Sequence, residues 1–439
     1  MKTMEPEIIS RETIKPSSPT PPYHRIHCLS LFDELSPRLY VPFVYFYPNQ
    51  GSDTPSFITD KANQLKNSLS KTLSRYYPFA GRVKDRLSID CNDEGVVFLE
   101  ARIKCMLSEI LENPKAEALN LLFADDLQWK DSNLSSLLAI QISYFDCGGM
   151  AIGVCISHKI GDAATMVTFI NDWATMTCNP DVELSPEFNL ASMFPRGDLP
   201  TITEAVLKET KCLSKRYVID TSKIAALKAM IADKVENPTR VEVVTALIYK
   251  CAISASRSNS ESPNPTLFVQ TVNLRNRMIP PLPENTMGNM ASFFAVSTME
   301  ESEIELHGLV GQMKESMAHF CNTYVNKFRG EEWLLLIKEF LKESRKLFIG
   351  GNQVVYRCSS WCKFPLYEAD FGWGKPIWVT IASCVLKNTV VMMDTRSGDG
   401  IEVFVNLEEQ DMAVFESDAE LLGFASFNPS ALDSDLELP

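Results

Sequence analysis

Two rhythms of apolar positions alternate along the chain, and together they predict a mixed α/β fold. Residues Tyr40–Tyr47 are almost wholly aromatic or β-branched and predict a strand. Residues 58–76 switch to helical spacing through Ala62, Leu65, Leu69 and Leu73, a rhythm that stops ahead of Pro78. Further strands are expected at 87–90 and 95–102. The clearest pattern lies in the middle of the chain. Leu138–Phe145 and Met150–Ser157 predict two strands joined by the turn Asp146-Cys147-Gly148-Gly149, and residues 163–177 then place Met166, Phe169, Ile170 and Trp173 on one helical face. The segment His158-Lys159-Ile160-Gly161-Asp162 therefore sits where a strand hands over to a helix.

Residues 178–215 are rich in Pro, Asn, Asp and Thr without a sustained period, which predicts a crossover between two units. A second series follows: helical patterns at 224–235 and 241–255, a strand at 268–272, and one long helical region from Glu303 to about Leu347. Strands at 378–385, Thr389–Asp394 and 401–406 close the chain. Four prolines between Lys15 and Pro22 remove amide donors and predict an extended strap over the surface. Residues 257–266 read as a surface loop, and the acidic stretch after Phe427 as a mobile tail.

Composition narrows the possibilities. A length of 439 residues favours two domains over one core. The net charge of −14 argues against nucleic acid as the main partner, because a phosphate backbone would be repelled. A small anionic ligand would need a local basic patch, and residues 201–250 offer nine Lys/Arg against six Asp/Glu. No apolar run reaches the ~18 residues of a membrane span, since Asp146 and the Gly148-Gly149 pair interrupt the best candidate. Residues 1–13 lack the basic-then-apolar order of a secretory signal, so the cytosol is the expected location. Twelve scattered cysteines then read as reduced thiols, and the pair Cys358 and Cys362 as core packing rather than a zinc site.

Histidine is scarce: His24, His27, His158, His307 and His319 are the only five. His158 stands apart because it ends a strongly apolar strand, and imidazole, with an ordinary pKa of about 6.5, suits proton abstraction near neutral pH. Asp162, four residues on, allows two readings: a dyad that orients the imidazole, or an inward-facing carboxylate with a structural partner. Downstream, Asp370-Phe371-Gly372-Trp373-Gly374-Lys375-Pro376 suggests backbone held in a special shape. The segment Asn273-Leu274-Arg275-Asn276-Arg277 supplies two arginines, either of which could meet a buried acid.

Together these segments resemble the plant BAHD acyltransferase family over nearly the whole chain. The likeness covers residues 14–21, Tyr77-Pro78-Phe79-Ala80-Gly81-Arg82, the His158 to Asp162 segment, Asn273-Leu274-Arg275, Gly288-Asn289 and Asp370-Phe371-Gly372-Trp373-Gly374. More distant acyltransferases with a His-His-x-x-x-Asp-Gly motif fit less well, since Ser157 and Ala163 stand at the flanks. The resemblance implies two similar-sized mixed α/β domains of the chloramphenicol-acetyltransferase-like fold, with the site in a channel between them. The implied division is an N-terminal domain at 1–195 that also receives a segment near 367–390, a linker at 196–215, and a C-terminal domain at 216–439 with a mobile tail at 428–439.

By the same resemblance His158 is the general base, and Asp162 turns away to pair with Arg275. Asp370 and Gly372 support the site structurally, and Trp373 lies toward the oxyanion or the channel. Contacts to CoA come from Thr239, Arg240, Gly288, Asn289 and Lys375, mostly in the C-terminal domain. Acyl-CoA is a co-substrate, with no permanently bound cofactor and no metal. The expected partners are acyl-CoA and a small-molecule alcohol, with neither nucleic acid nor membrane, and the protein is expected to act as a monomer. The strap, Asp90-Cys91-Asn92-Asp93 and Phe145-Asp146-Cys147-Gly148-Gly149 resemble branches acting on alkaloid and terpenoid alcohols, which makes acetyl-CoA the leading donor. Two alternatives stand beside this: a hydroxycinnamoyl or other acyl transfer to oxygen or nitrogen, and a non-catalytic family member that binds a metabolite or partner.

Overall fold

Strand-forming segments from both halves of the chain assemble into two large mixed sheets. The computed structural model describes residues 5–49, 55–132, 136–197, 199, 211–260, 264–298, 304–349, 353–384 and 386–432. The strands of the first half are β1 (Glu7–Ile14), β2 (Ile26–Cys28), β3 (Tyr40–Tyr47), β4 (Arg82–Asp85), β5 (Ser88–Asp90), β6 (Val96–Ile103), β7 (Leu138–Phe145) and β8 (Met150–Ser157). Those of the second half are β9 (Cys212–Ile219), β10 (Thr266–Asn273), β11 (Ala291–Thr298), β12 (Val354–Ser360), β13 (Trp378–Thr380), β14 (Thr389–Asp394), β15 (Ile401–Glu408) and β16 (Ser426–Phe427).

The first sheet runs β1-β6-β7-β8-β3-β13, antiparallel except where β6 meets β7. The second runs β11-β10-β12-β14-β15-β9-β16, with β10, β12 and β14 parallel. A small sheet β2-β5-β4 flanks the first. The chain is thus a two-domain, mixed α/β protein, with one strand exchanged: β13 pairs with β3, and the chain then returns to the second sheet at β14.

Burial explains the unbroken apolar runs. In β3, Val41, Phe43, Tyr45 and Tyr47 face one core, while Tyr40, Val44 and Phe46 face another on the opposite side of the sheet. A strand covered on both faces has no polar alternation. Helices Pro55–Arg75 and Ala163–Cys178 pack together over one face, and Leu65, Leu69 and Leu73 meet Met166, Phe169 and Trp173 there. Among the described residues no helix is long and apolar enough to cross a membrane.

Several expectations need correction. The single helical region from Glu303 is two helices, Leu306–Thr323 and Trp333–Ile349, separated by a 3-10 turn at Val325–Lys327; Glu303 itself lies outside the described residues. Within the stretch read as a crossover, β9 already begins at Cys212, and residues 198 and 200–210 lie outside the described set. Residues 428–432 are not free. Asn428 Nδ2 donates to Pro114 O at 2.8 Å and Ala431 N to Leu111 O at 2.7 Å, which ties them to the first domain; 433–439 lie outside the described residues.

Candidate active site

The end of β8 fixes His158. Ser157 pairs with Tyr40 across the sheet, and the next amide, His158 N, donates to Leu39 O at 2.8 Å. The side chain keeps some exposed surface, while Ser157 and Lys159 on either side are buried. Lys159 turns inward, and its Nζ donates to the carbonyls of Asp33, Glu34 and Ser36. It thereby satisfies the C-terminal carbonyls of the short helix Leu31–Leu35, where a cation also suits the helix dipole.

Asp162 is the N-cap of helix Ala163–Cys178, its Oδ1 accepting from Thr165 N at 3.0 Å. Its Oδ2 accepts from Arg275 Nη1 at 2.7 Å and from Met290 N at 2.8 Å. The ion pair is buried, with Asp162 6% and Arg275 3% exposed. The other donors of Arg275 go to Thr286 O, Thr165 Oγ1, Gly288 O and Asn273 Oδ1. Of the two readings open at Asp162, the geometry takes the inward one.

The nitrogen Nδ1 of His158 instead faces Asn289 Oδ1 at 2.9 Å. Hydrogen-bond accounting then fixes the proton. Both N–H bonds of Asn289 Nδ2 are committed, one to His158 O at 2.8 Å and one to Asp33 Oδ1 at 2.9 Å. Exchanging the amide oxygen and nitrogen would set an oxygen against a carbonyl and a carboxylate. The Asn289 oxygen is therefore the atom facing His158, and since it can only accept, Nδ1 carries the hydrogen. Nε2 keeps its lone pair, the arrangement a general base requires.

The turn carrying Asn289 depends on Gly288, which has φ +116°, a region side chains disfavour. A Cβ there would lie 2.7 Å from Leu190 Cδ1 and 3.3 Å from Asp33 Oδ1. Electrostatics keep the two key groups in opposite states. Burial pushes the His158 imidazole below its usual value, helped by the Lys159 charge, and outweighs the raising influence of a hydrogen bond to its own backbone, of Asp162 and of the Asn289 hydrogen bond. Burial pushes the Asp162 carboxyl up, but the Arg275 guanidinium and the Thr165 and Met290 amides hold it below the ordinary range.

The remaining candidates lie elsewhere. Asp370 Oδ1 accepts from Gly372 N at 2.8 Å and Gly374 N at 3.0 Å, closing a tight turn in which Gly372 has φ +101°. Trp373 is 5% exposed, stacks on Phe371 and meets Tyr47 edge-on, with Lys61 over its ring. Tyr47 is paired with Met150, seven residues from Ser157 along β8, so roughly 24 Å of strand separates this turn from His158. Trp373 is therefore a core aromatic, and the expectation that it lies toward the oxyanion is corrected by that distance.

The expected CoA contacts are scattered. Asn289 is fully buried with its amide committed to the protein, so it holds His158 rather than a phosphate. The helix Arg240–Ser258 is capped from within by a Thr239–Glu242 capping box, and Arg240 donates to Gly398 O, Asp399 O and Asp394 Oδ1. Lys375 forms an exposed pair with Glu368. Two contributors escaped the sequence reading, Lys159 and Asp33. For Asp33 a signal existed in Ser30-Leu31-Phe32-Asp33, a capping-box pattern at a helix start.

Comparisons with known proteins converge on one family. A model of the Transferase family matches residues 4–422. The chain is 42% identical over 429 residues to 17,18-epoxy-17-hydroxycur-19-ene N-malonyltransferase of Strychnos nux-vomica, covering 97% of this chain and 92% of that one. It is 39% identical over 423 residues to stemmadenine O-acetyltransferase of Catharanthus roseus, covering 94% and 96%. Among solved structures, the crystal structure of vinorine synthase matches with a TM-score of 0.83 and 34% identity, over 97% of this chain and 100% of that one.

Proposed function

The chain belongs to the BAHD family of acyl-CoA-dependent acyltransferases, and from that premise we propose that it transfers acetyl from acetyl-CoA to a hydroxyl of a plant alkaloid or terpenoid alcohol, with His158 as general base. The observation that carries the role of His158 is the Asn289 contact, which commits Nδ1 as a donor and leaves Nε2 unprotonated. The acceptor hydroxyl gives its proton to Nε2 as its oxygen attacks the thioester carbonyl. The tetrahedral oxyanion then collapses, the carbon–sulfur bond breaks, and the imidazolium returns the proton to the departing thiolate. An ester and free CoA result, with no acyl-enzyme. Holding both substrates at one imidazole supplies proximity, and the general base contributes typically ~10²- to 10⁴-fold. Asp162 and Arg275 act as the frame that seats the His158 turn against the Gly288-Asn289 turn. We place the enzyme in the cytosol as a monomer.

Acetyl and an oxygen acceptor are favoured by relatives such as the stemmadenine O-acetyltransferase. A second reading, malonyl transfer to nitrogen, is favoured by the relative named an N-malonyltransferase. Incubating the purified protein with a mixture of acetyl-, malonyl- and hydroxycinnamoyl-CoA and a plant metabolite extract, followed by mass spectrometry, separates them. The proposal expects products heavier by one acetyl group on a hydroxyl. Malonylated amines would favour the second reading, and no CoA release with any donor would overturn both.

A further inference from the structure

His158 and Asn289 do not end the hydrogen-bonded chain. Behind Asn289 lies Asp33, 256 residues away in sequence and 3% exposed. Its Oδ1 accepts from Asn289 N at 2.7 Å and from Asn289 Nδ2 at 2.9 Å. Its Oδ2 accepts from Ser30 N at 2.8 Å and Ser30 Oγ at 2.6 Å, within the capping box of helix Leu31–Leu35. The carboxylate thus takes four donors, two that fix its own helix and two that fix the residue touching the imidazole.

A capping box needs only an acceptor at the amide of its own N-cap, so the Ser30 contacts explain one oxygen of Asp33 and leave the other over. That other oxygen points into the site. Burying a carboxylate is costly unless a charge or strong donors answer it. The Asp162 charge is already matched by Arg275. A positive charge at the far side of Asn289 would answer that of Asp33, and the proposed reaction creates one there when the imidazole takes up a proton.

We propose that Asp33 is a positioning residue for His158 that acts through Asn289: its carboxylate locks the amide so that the oxygen faces Nδ1, and its charge polarises that amide to stabilise the imidazolium. This rests on the reading of His158 as the base. The charged groups around the relay are few. Asp162 with its partner Arg275 lies on the helix that follows His158. The Lys159 ammonium opposes a positive imidazole and bonds the carbonyl of Asp33. Glu34, beside Asp33, is matched by Arg86 and Arg196 at 2.7 and 3.1 Å. His27, from β2, feels the Asp33 charge on the other side.

The test is the titration of the His158 imidazole in the free protein, followed by nitrogen NMR of histidine-labelled chain and assigned by loss of its signal in His158→Ala. Asp33→Asn is expected to shift that titration to lower pH by about half a unit or more, because a charge that favours the protonated form is gone. Once a substrate is known, kcat should fall roughly 10- to 100-fold with the KM for acyl-CoA unchanged, as expected when an orienting group is lost. Ser30→Ala breaks the capping box but keeps the charge, so it should lower Tm and leave the titration in place. If Asp33→Asn does not fold, Asn289→Ser cuts the same link and should give a shift in the same direction and at least as large, because it also removes the amide that touches the imidazole.

An unmoved titration in a folded Asp33→Asn or Asn289→Ser protein overturns the inference, as does a Ser30→Ala shift as large as that of Asp33→Asn. The titration needs no acceptor, so its failure is distinct from failure of the proposed function. A fully active His158→Ala would sink the latter whatever the titration shows.

Discussion

At the residue scale, the site is a contest over what each polar group is allowed to touch. Asp162 is four residues from His158, and sequence spacing alone permits a direct contact; the outcome depends on Arg275, 113 residues downstream, which only the folded chain brings within 2.7 Å. Removing the charge at Asp162 leaves a buried guanidinium without its partner, a change that costs about 3–5 kcal/mol. Asp162→Asn should therefore lower thermal stability together with activity; a variant of unchanged Tm that is inactive would instead point to a direct catalytic role.

The lowered imidazole gives two further signs. In the enzyme, the acid limb of kcat/KM should fall below the ordinary histidine value of about 6.5, since His158 stays neutral to lower pH. In the folding equilibrium, the unfolded chain takes up the proton first as pH drops, so His158 costs stability below about pH 6.5. Asp162 acts at lower pH, because its contribution is present above about pH 3.9 and is lost as pH falls through its depressed folded value. A pH–rate profile with an acid limb above 6.5 would contradict this electrostatic picture. His158 stood out in the sequence because it ends an apolar strand. The tautomer was not legible there, for it depends on Asn289 and Asp33, and no local pattern links those positions.

At the element scale, legibility followed burial. The strands Leu138–Phe145 and Met150–Ser157 are buried at every position and were visible to the residue. The edge strand β1, Glu7–Ile14, is exposed or half-exposed along its whole length, so it carries no apolar alternation; its strand character comes from pairing with β6. β11 and β12 are likewise half-exposed at several positions. The conspicuous turn at Asp370 to Gly374 shows the limit of motif reading, because its shape is unusual while its neighbours are the aromatic core around Trp173, Phe371 and Tyr47. Asp370→Ala removes the acceptor shared by two amides and should lower Tm by an amount on the order of 1–3 kcal/mol in stability. The folded fraction should keep kcat within a few-fold of wild type, as measured by active-site-normalised turnover. A collapse of kcat at unchanged Tm would place the turn in the chemistry after all.

At the scale of the whole molecule, the site exists only because the halves are interlocked. Asp33 and His158 come from the first half of the chain, Arg275 and Asn289 from the second, and the strand exchange at β13 fastens the two sheets elsewhere. A second fastening lies at the buried pair Arg216–Glu402, where Trp378 of the first sheet donates to Glu402 and lies under Arg216. The chain end extends it: Arg216 donates to Pro429 O, and Asn428 and Ala431 reach Pro114 and Leu111. Ending the chain at Phe427 removes these hydrogen bonds and should cost about 2 kcal/mol or more, seen as a lower Tm in thermal denaturation. An unchanged Tm would mean that the interlock is carried by β13 and the Arg216 pair alone.

Two halves held this firmly place one imidazole between them, with a single nitrogen free to accept a proton. The direct measurement is the acyl-CoA-dependent turnover of His158→Ala, made on protein whose Tm and acyl-CoA binding match wild type. Removal of the general base should lower kcat by at least about 10²-fold; turnover within a few-fold of wild type would contradict the assignment of His158 as the base.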